Sequence, residues 1–126
     1  LLALAQTAPE PLHLIVLHTN DVHGQALARP ATWLSEPGRS VGGLERLLVA
    51  IETVRAEARA AGAELLLLDG GDWFQGTPEG ALDGGVPFCK LLSRLGYDAL
   101  ALGNHEFDLG LPPLEHLLAE TGIRPL

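Results

Sequence analysis

The chain has 126 residues, 47 % hydrophobic and 19 % charged, with no polar low-complexity tract, which argues against disorder and suits one folded unit with an apolar core. A formal net charge of -8 argues against DNA or RNA as a partner, because phosphate backbones are held by Lys and Arg. Cys89 stands alone, so no internal disulfide can form.

Residues 1–11, "LLALAQTAPEP", join a short apolar run and the small-residue pattern Ala3-x-Ala5 to a polar, proline-containing stretch. They read as the remnant of a signal peptide or as a disordered leader, and the first reading implies a secreted or periplasmic protein. No apolar run reaches the roughly 18 residues of a membrane span.

Leu12 to Leu17 form a dense apolar run that stops at Thr19, Asn20 and Asp21, which predicts a strand buried on both faces. A loop rich in Pro and Gly follows. Leu44, Leu47, Leu48, Ile51, Val54 and Ala58 then recur at helical spacing, with Gly62 as the stop signal. "ELLLLD", Glu64 to Asp69, predicts a second buried strand; "VPFCKLLSRLG" a helix ending at Gly96; "YDALALGN" a third strand; and "PPLEHLLAETG" a last helix. The closing "IRPL" resembles the start of another strand. This alternation favours an α/β fold, a largely parallel sheet flanked by helices, and residues 12–126 are read as one domain.

The polar clusters follow the strands, in "NDVHGQ", "GGDWFQG" and "GNHEFD". In an open parallel sheet the carboxyl ends of the strands share one rim, so the three clusters can meet in one crevice. Asp21 and His23, one residue apart, suit a borderline divalent cation. Asp72 follows two glycines that permit close backbone approach, and it could bridge two ions. Asn104 offers a neutral carbonyl oxygen. Asp108 could orient His105 and raise its basicity, or it could cap the helix that follows. Glu106 reads as a group beside the site or at the surface, and His18 as a hydrogen-bonded structural histidine. Trp73 and Phe74 are expected to pack under their loop, and Cys89 to be a small core residue.

The set DxH, GGD and GNHE, in this order at strand ends, resembles the calcineurin-like metallophosphoesterases. The longer wording "LHTNDVHG", "LLLLDGGDWFQGTPEG" and "LGYDALALGNHEFDLG" is similar to the branch containing secreted 5'-nucleotidases, UDP-sugar hydrolases and cyclic-nucleotide phosphodiesterases. The resemblance implies a four-layer α/β/β/α sandwich, of which this chain would supply the first half. By position it implies metal ligands at Asp21, His23, Asp72 and Asn104, and a catalytic pair at His105 and Asp108. It also implies two divalent ions (Mn, Zn, Co or Fe), about 3.5 to 4 Å apart, that clamp a phosphoryl group and activate a water.

The further histidine ligands of that family's later motifs do not follow His116, and its separate substrate-gripping domain is not in this sequence. The chain is therefore expected to be the N-terminal part of a longer catalytic domain, inactive or nearly so by itself. Its exposed core would be covered by the missing C-terminal half or by another chain. The implied substrate is a nucleotide or another small phosphoester. Within the resemblance, 5'-nucleotidase, cyclic-nucleotide phosphodiesterase with 3'-nucleotidase action, UDP-sugar hydrolase and sulfur-oxidation hydrolase stay open; outside it stands a non-catalytic metal-binding or partner-binding module.

Overall fold

The structure is a computed structural model that describes residues 11–36 and 38–126. The reading of residues 1–11 as a signal remnant or leader falls, except for Pro11, outside the described residues. Five strands and four α-helices follow in chain order. These are β1 (Leu14–Thr19), β2 (Arg29–Pro30), β3 (Ser40–Val41), α1 (Leu44–Ala60), β4 (Glu64–Asp69), α2 (Pro78–Ala81), α3 (Val86–Leu92), β5 (Ala99–Leu100) and α4 (Leu111–Thr121).

β1, β4 and β5 form a parallel sheet in that order, with β4 central. β1 and β4 pair over their whole lengths, from Leu14 beside Glu64 to Thr19 beside Asp69. Both strands therefore end level, and their following loops leave from the same rim. β5 joins only at that end, Leu68 lying beside Ala99 and Asp69 beside Leu100. The third strand is thus shorter than "YDALALGN" suggests. Past α4 the amide of Leu126 donates to the Leu100 carbonyl at 2.9 Å, the contact that a further strand beside β5 would begin with.

Helical spacing fixes what α1 buries. Leu44, Ile51 and Ala58, seven residues apart, are its buried residues, and they face the sheet. They join Leu67 and Leu100 from the strands and Val86, Phe88, Cys89 and Leu92 from α3, while Leu114 and Leu117 are the buried positions of α4. Burying a side chain such as the fully enclosed Ile51 contributes about 2 kcal/mol relative to leaving it in water. Gly96, at φ 73°, ends the short 3-10 extension of α3 (Ser93–Leu95), a conformation that an L side chain adopts only with strain. Cys89 is fully buried, as expected, and burial pushes its thiol up to about 12, far from nucleophilic at neutral pH.

Two expectations are corrected here. β1 is not buried on both faces: Leu14 and Val16 are each 52 % exposed, because the described helices pack on the other face, where Leu17 and Leu67 point. His18 shares that open face, is exposed, and its imidazole makes no hydrogen bond among the described residues, so it is not a satisfied structural histidine. The loop after β1 holds the small β2–β3 hairpin, too short for periodicity to reveal. No described helix is long and apolar enough to cross a membrane.

Candidate metal centre

The loops after β1 and β4 stay zipped beyond the strands. The Asp21 amide donates to the Gly71 carbonyl at 3.0 Å, His23 to Asp72 at 2.9 Å, and Gly24 to Trp73 at 2.6 Å. To hold this pairing while the chain turns, Asp21, His23 and Asp72 adopt left-handed backbones, with φ of 53°, 47° and 60°. Such conformations cost on the order of 1–3 kcal/mol each for non-glycine residues and persist where surroundings over-determine them, often at functional sites. Trp73, directly after Asp72, is wholly buried, and Phe74 nearly so, so the β4 loop is anchored by aromatic packing beneath it, as expected.

The third loop comes in over glycine. A Cβ on Gly71, whose φ is 103°, would lie 2.3 Å from the Gly103 nitrogen, and one on Gly103 would lie 2.2 Å from Asp72 Oδ1. Only hydrogen fits at both places. This contact lets the His105 amide donate to Asp72 Oδ1 at 2.9 Å.

Donor atoms of His23, Asp72 and His105 consequently lie within 4.8 Å of one another. The two imidazoles meet edge to face, with centroids 5.1 Å apart. Asp21 Oδ1 is 3.5 Å from His23 Nε2, and the Asp72 carboxyl lies within interaction range of Asp21. Asn104 is exposed, at the start of the 3-10 turn that carries His105 (His105–Phe107). Asp108 Oδ2 is 2.6 Å from His105 Nδ1, while α4 starts from Gly110 with no side-chain cap. All six site residues read from the sequence thus lie along one rim, with His105 closer to His23 and Asp72 than a purely catalytic assignment suggested.

Electrostatics follow from these contacts. The Asn20 amide, with help from His23, holds the Asp21 carboxyl below the usual range. The hydrogen bond that His105 donates to Asp108 raises its pKa above that of an ordinary histidine. Nδ1 of His23 donates to the Gln75 carbonyl at 2.8 Å, which leaves Nε2, 3.5 Å from Asp21 Oδ1, as the ring nitrogen turned to the rim. The donor set fits a divalent cation: the Asp72 carboxylate and two imidazoles converge, Asp21 Oδ1 stands beside His23, and among the described residues neither Asp21 nor Asp72 pairs with lysine or arginine.

Sequence reasoning undervalued Glu106. It is 1 % exposed and accepts the amides of Asp72 (2.8 Å), Trp73 (2.6 Å) and Gly103 (2.7 Å), so one carboxylate ties the β4 loop to the β5 loop. It is not a surface group, and the reading of it as a group beside the site holds. Its position in a glycine-flanked turn, where bare amides gather, was the available signal.

Known proteins resemble this chain in sequence and in fold. Residues 14–124 match the calcineurin-like phosphoesterase family. The chain is 40 % identical over 124 residues to a 5'-nucleotidase of Bos taurus, covering 96 % of this chain and 21 % of that protein. It is 40 % identical over 106 residues to Protein UshA of Escherichia coli, covering 84 % and 18 %. A solved structure of a 5'-nucleotidase precursor from Thermus thermophilus superposes with a TM-score of 0.73 at 36 % identity, over 88 % of this chain and 20 % of that one. The chain therefore spans about a fifth of the length of these relatives. With 111 of its 126 residues inside the matched region, the chain belongs to the calcineurin-like phosphoesterase family, whose members imply divalent metals.

Proposed function

We propose that this chain is the N-terminal part, from residue 12 onward, of the catalytic domain of a metal-dependent phosphoester hydrolase that releases phosphate from nucleoside monophosphates. The observation that carries the reading is the convergence of His23, Asp72 and His105 donors within 4.8 Å at the ends of three parallel strands. The 5'-nucleotidase relatives support the choice of substrate. Residues 1–11 are read as a leader for secretion or for the periplasm.

Asp21, His23, Asp72 and Asn104 would hold two divalent ions, drawn from Mn, Zn, Co or Fe. When bound, such ions polarise phosphoryl oxygens and lower the pKa of a water. The chain's own residues supply the rest. The Gln75 carbonyl fixes the tautomer of His23, so Nε2 is presented as a ligand. Asp108 accepts a hydrogen bond from His105 Nδ1–H and stabilises the imidazolium, so that His105 Nε2 can donate its proton to the leaving oxygen. The zipped backbones of the first two loops keep Asp21 and Asp72 from separating.

The test is phosphate release by the full-length protein after stripping with EDTA. AMP hydrolysis should vanish and return with Mn²⁺, with AMP preferred over 2',3'-cyclic AMP. Hydrolysis undiminished by EDTA would contradict the reading, and metal uptake without cleavage of any ester would favour a binding module.

A further inference from the structure

Three side chains behind the rim have been given no role in the site so far. Thr19 ends β1, Asp69 ends β4, and Tyr97 precedes β5. Thr19 and Asp69 are register partners, so their side chains stand side by side on one face. The Thr19 hydroxyl donates to Asp69 Oδ2. Its single proton is thereby used, so the Tyr97 hydroxyl, 2.7 Å away, must be the donor to Thr19 Oγ1. The other oxygen of Asp69, a residue only 4 % exposed, accepts the Gly71 amide at 2.8 Å.

The column therefore runs from Tyr97 through Thr19 to Asp69 and ends on the Gly71 peptide. Gly71 is a junction: its carbonyl receives the Asp21 amide at 3.0 Å, and the next residue is Asp72. Fixing Gly71 fixes both the first-loop carboxylate and the candidate bridge. Backbone pairing already holds the strands together here, since the Gly70 amide donates to the Thr19 carbonyl at 2.9 Å. What the side chains add is the orientation of the turn across all three strands. Valine would fill Thr19's volume but leave Asp69 Oδ2 buried without its donor.

We propose that Tyr97, Thr19 and Asp69 are positioning residues that set the spacing between Asp21 and Asp72 and so the affinity of the rim for divalent cations. They touch neither metal nor substrate. The inference rests on the metal reading above, and the experiment separates the two. Mn²⁺ binding to the full-length, metal-stripped protein is measured by calorimetry, with thermal unfolding of the same samples, for the wild type, Thr19→Val, Thr19→Ser, Tyr97→Phe and Ile51→Val. Ile51→Val lowers stability from a buried position on α1, outside the three rim loops. Thr19→Val should weaken Mn²⁺ binding about 10-fold, the low end expected for partners of ligand-bearing groups, and Tyr97→Phe, one hydrogen bond further out, about 3-fold, with Thr19→Ser restoring affinity. Ile51→Val should lower the melting temperature and bind as the wild type does. If Thr19→Val and Tyr97→Phe melt earlier yet bind Mn²⁺ like the wild type, the column is only a stabilising element and the proposal fails. If Thr19→Val does not fold, Tyr97→Phe and Thr19→Ser still decide the matter. A wild type that takes up no Mn²⁺ overturns the metal reading itself, a result distinct from equal binding by all variants.

Discussion

Glu106→Ala is expected to cost about 4 kcal/mol of stability, because the buried Trp73 amide and the partly buried amides of Asp72 and Gly103 lose this acceptor at once and each orphaned donor costs about 1–3 kcal/mol, not fully additively. Water cannot easily take the carboxylate's place, since Glu106 is 1 % exposed and the amides of Asp72, Trp73 and Gly103 converge from two loops. Glu106→Gln should lose roughly half as much. Oε1 serves Trp73 and Oε2 serves both Asp72 and Gly103, so whichever oxygen becomes an NH2 now meets a donor. The midpoint of urea unfolding measures both losses. A drop below about 1 kcal/mol for the alanine variant would mean that the loops are held by something other than this carboxylate.

His105→Asn is expected to lower kcat about 10²- to 10⁴-fold while leaving metal affinity within a few-fold of the wild type, the pattern of a lost proton donor. The competing possibility is written into the geometry, since His105 also falls within 4.8 Å of His23 and Asp72. A ligand role would show as weakened metal binding. The imidazole's own partner argues for the acid role: Nδ1 is taken by Asp108 at 2.6 Å, which raises the pKa above the ordinary 6.5 of histidine. Because the folded value is the higher one, any stability from the pair is fully present below the unfolded pKa and is lost as pH rises through the raised folded value. In the metal-free protein, NMR titration should show His105 above a free histidine, and Asp108→Asn should bring it down.

Much of this was legible beforehand, for identifiable reasons. Glu64 to Asp69 read as a strand because an unbroken apolar run bounded by Asp and Gly has few alternatives, and the structure gives the same limits. α1 was legible because the positions it buries recur at helical spacing. The convergence of the three polar loops followed from parallel topology, which puts strand ends on one side. β1 misled because a dense apolar run looks alike whether one face or two are covered, and only the packing of the described helices shows that Leu14 and Val16 stay open. Glu106 and the Tyr97–Thr19–Asp69 column were illegible for another reason. Their partners are backbone amides and residues up to 78 positions away, and no local pattern announces a buried acceptor. Asp69 closing a run of leucines was the one hint.

The reading depends on the ends of β1, β4 and β5 forming one site for two divalent cations. An anomalous-scattering map from crystals of the full-length protein grown with Mn²⁺ tests it most directly. The account predicts anomalous density at the rim, in contact with Asp21, His23 and Asp72. Density only elsewhere, or none at saturating Mn²⁺, would contradict it.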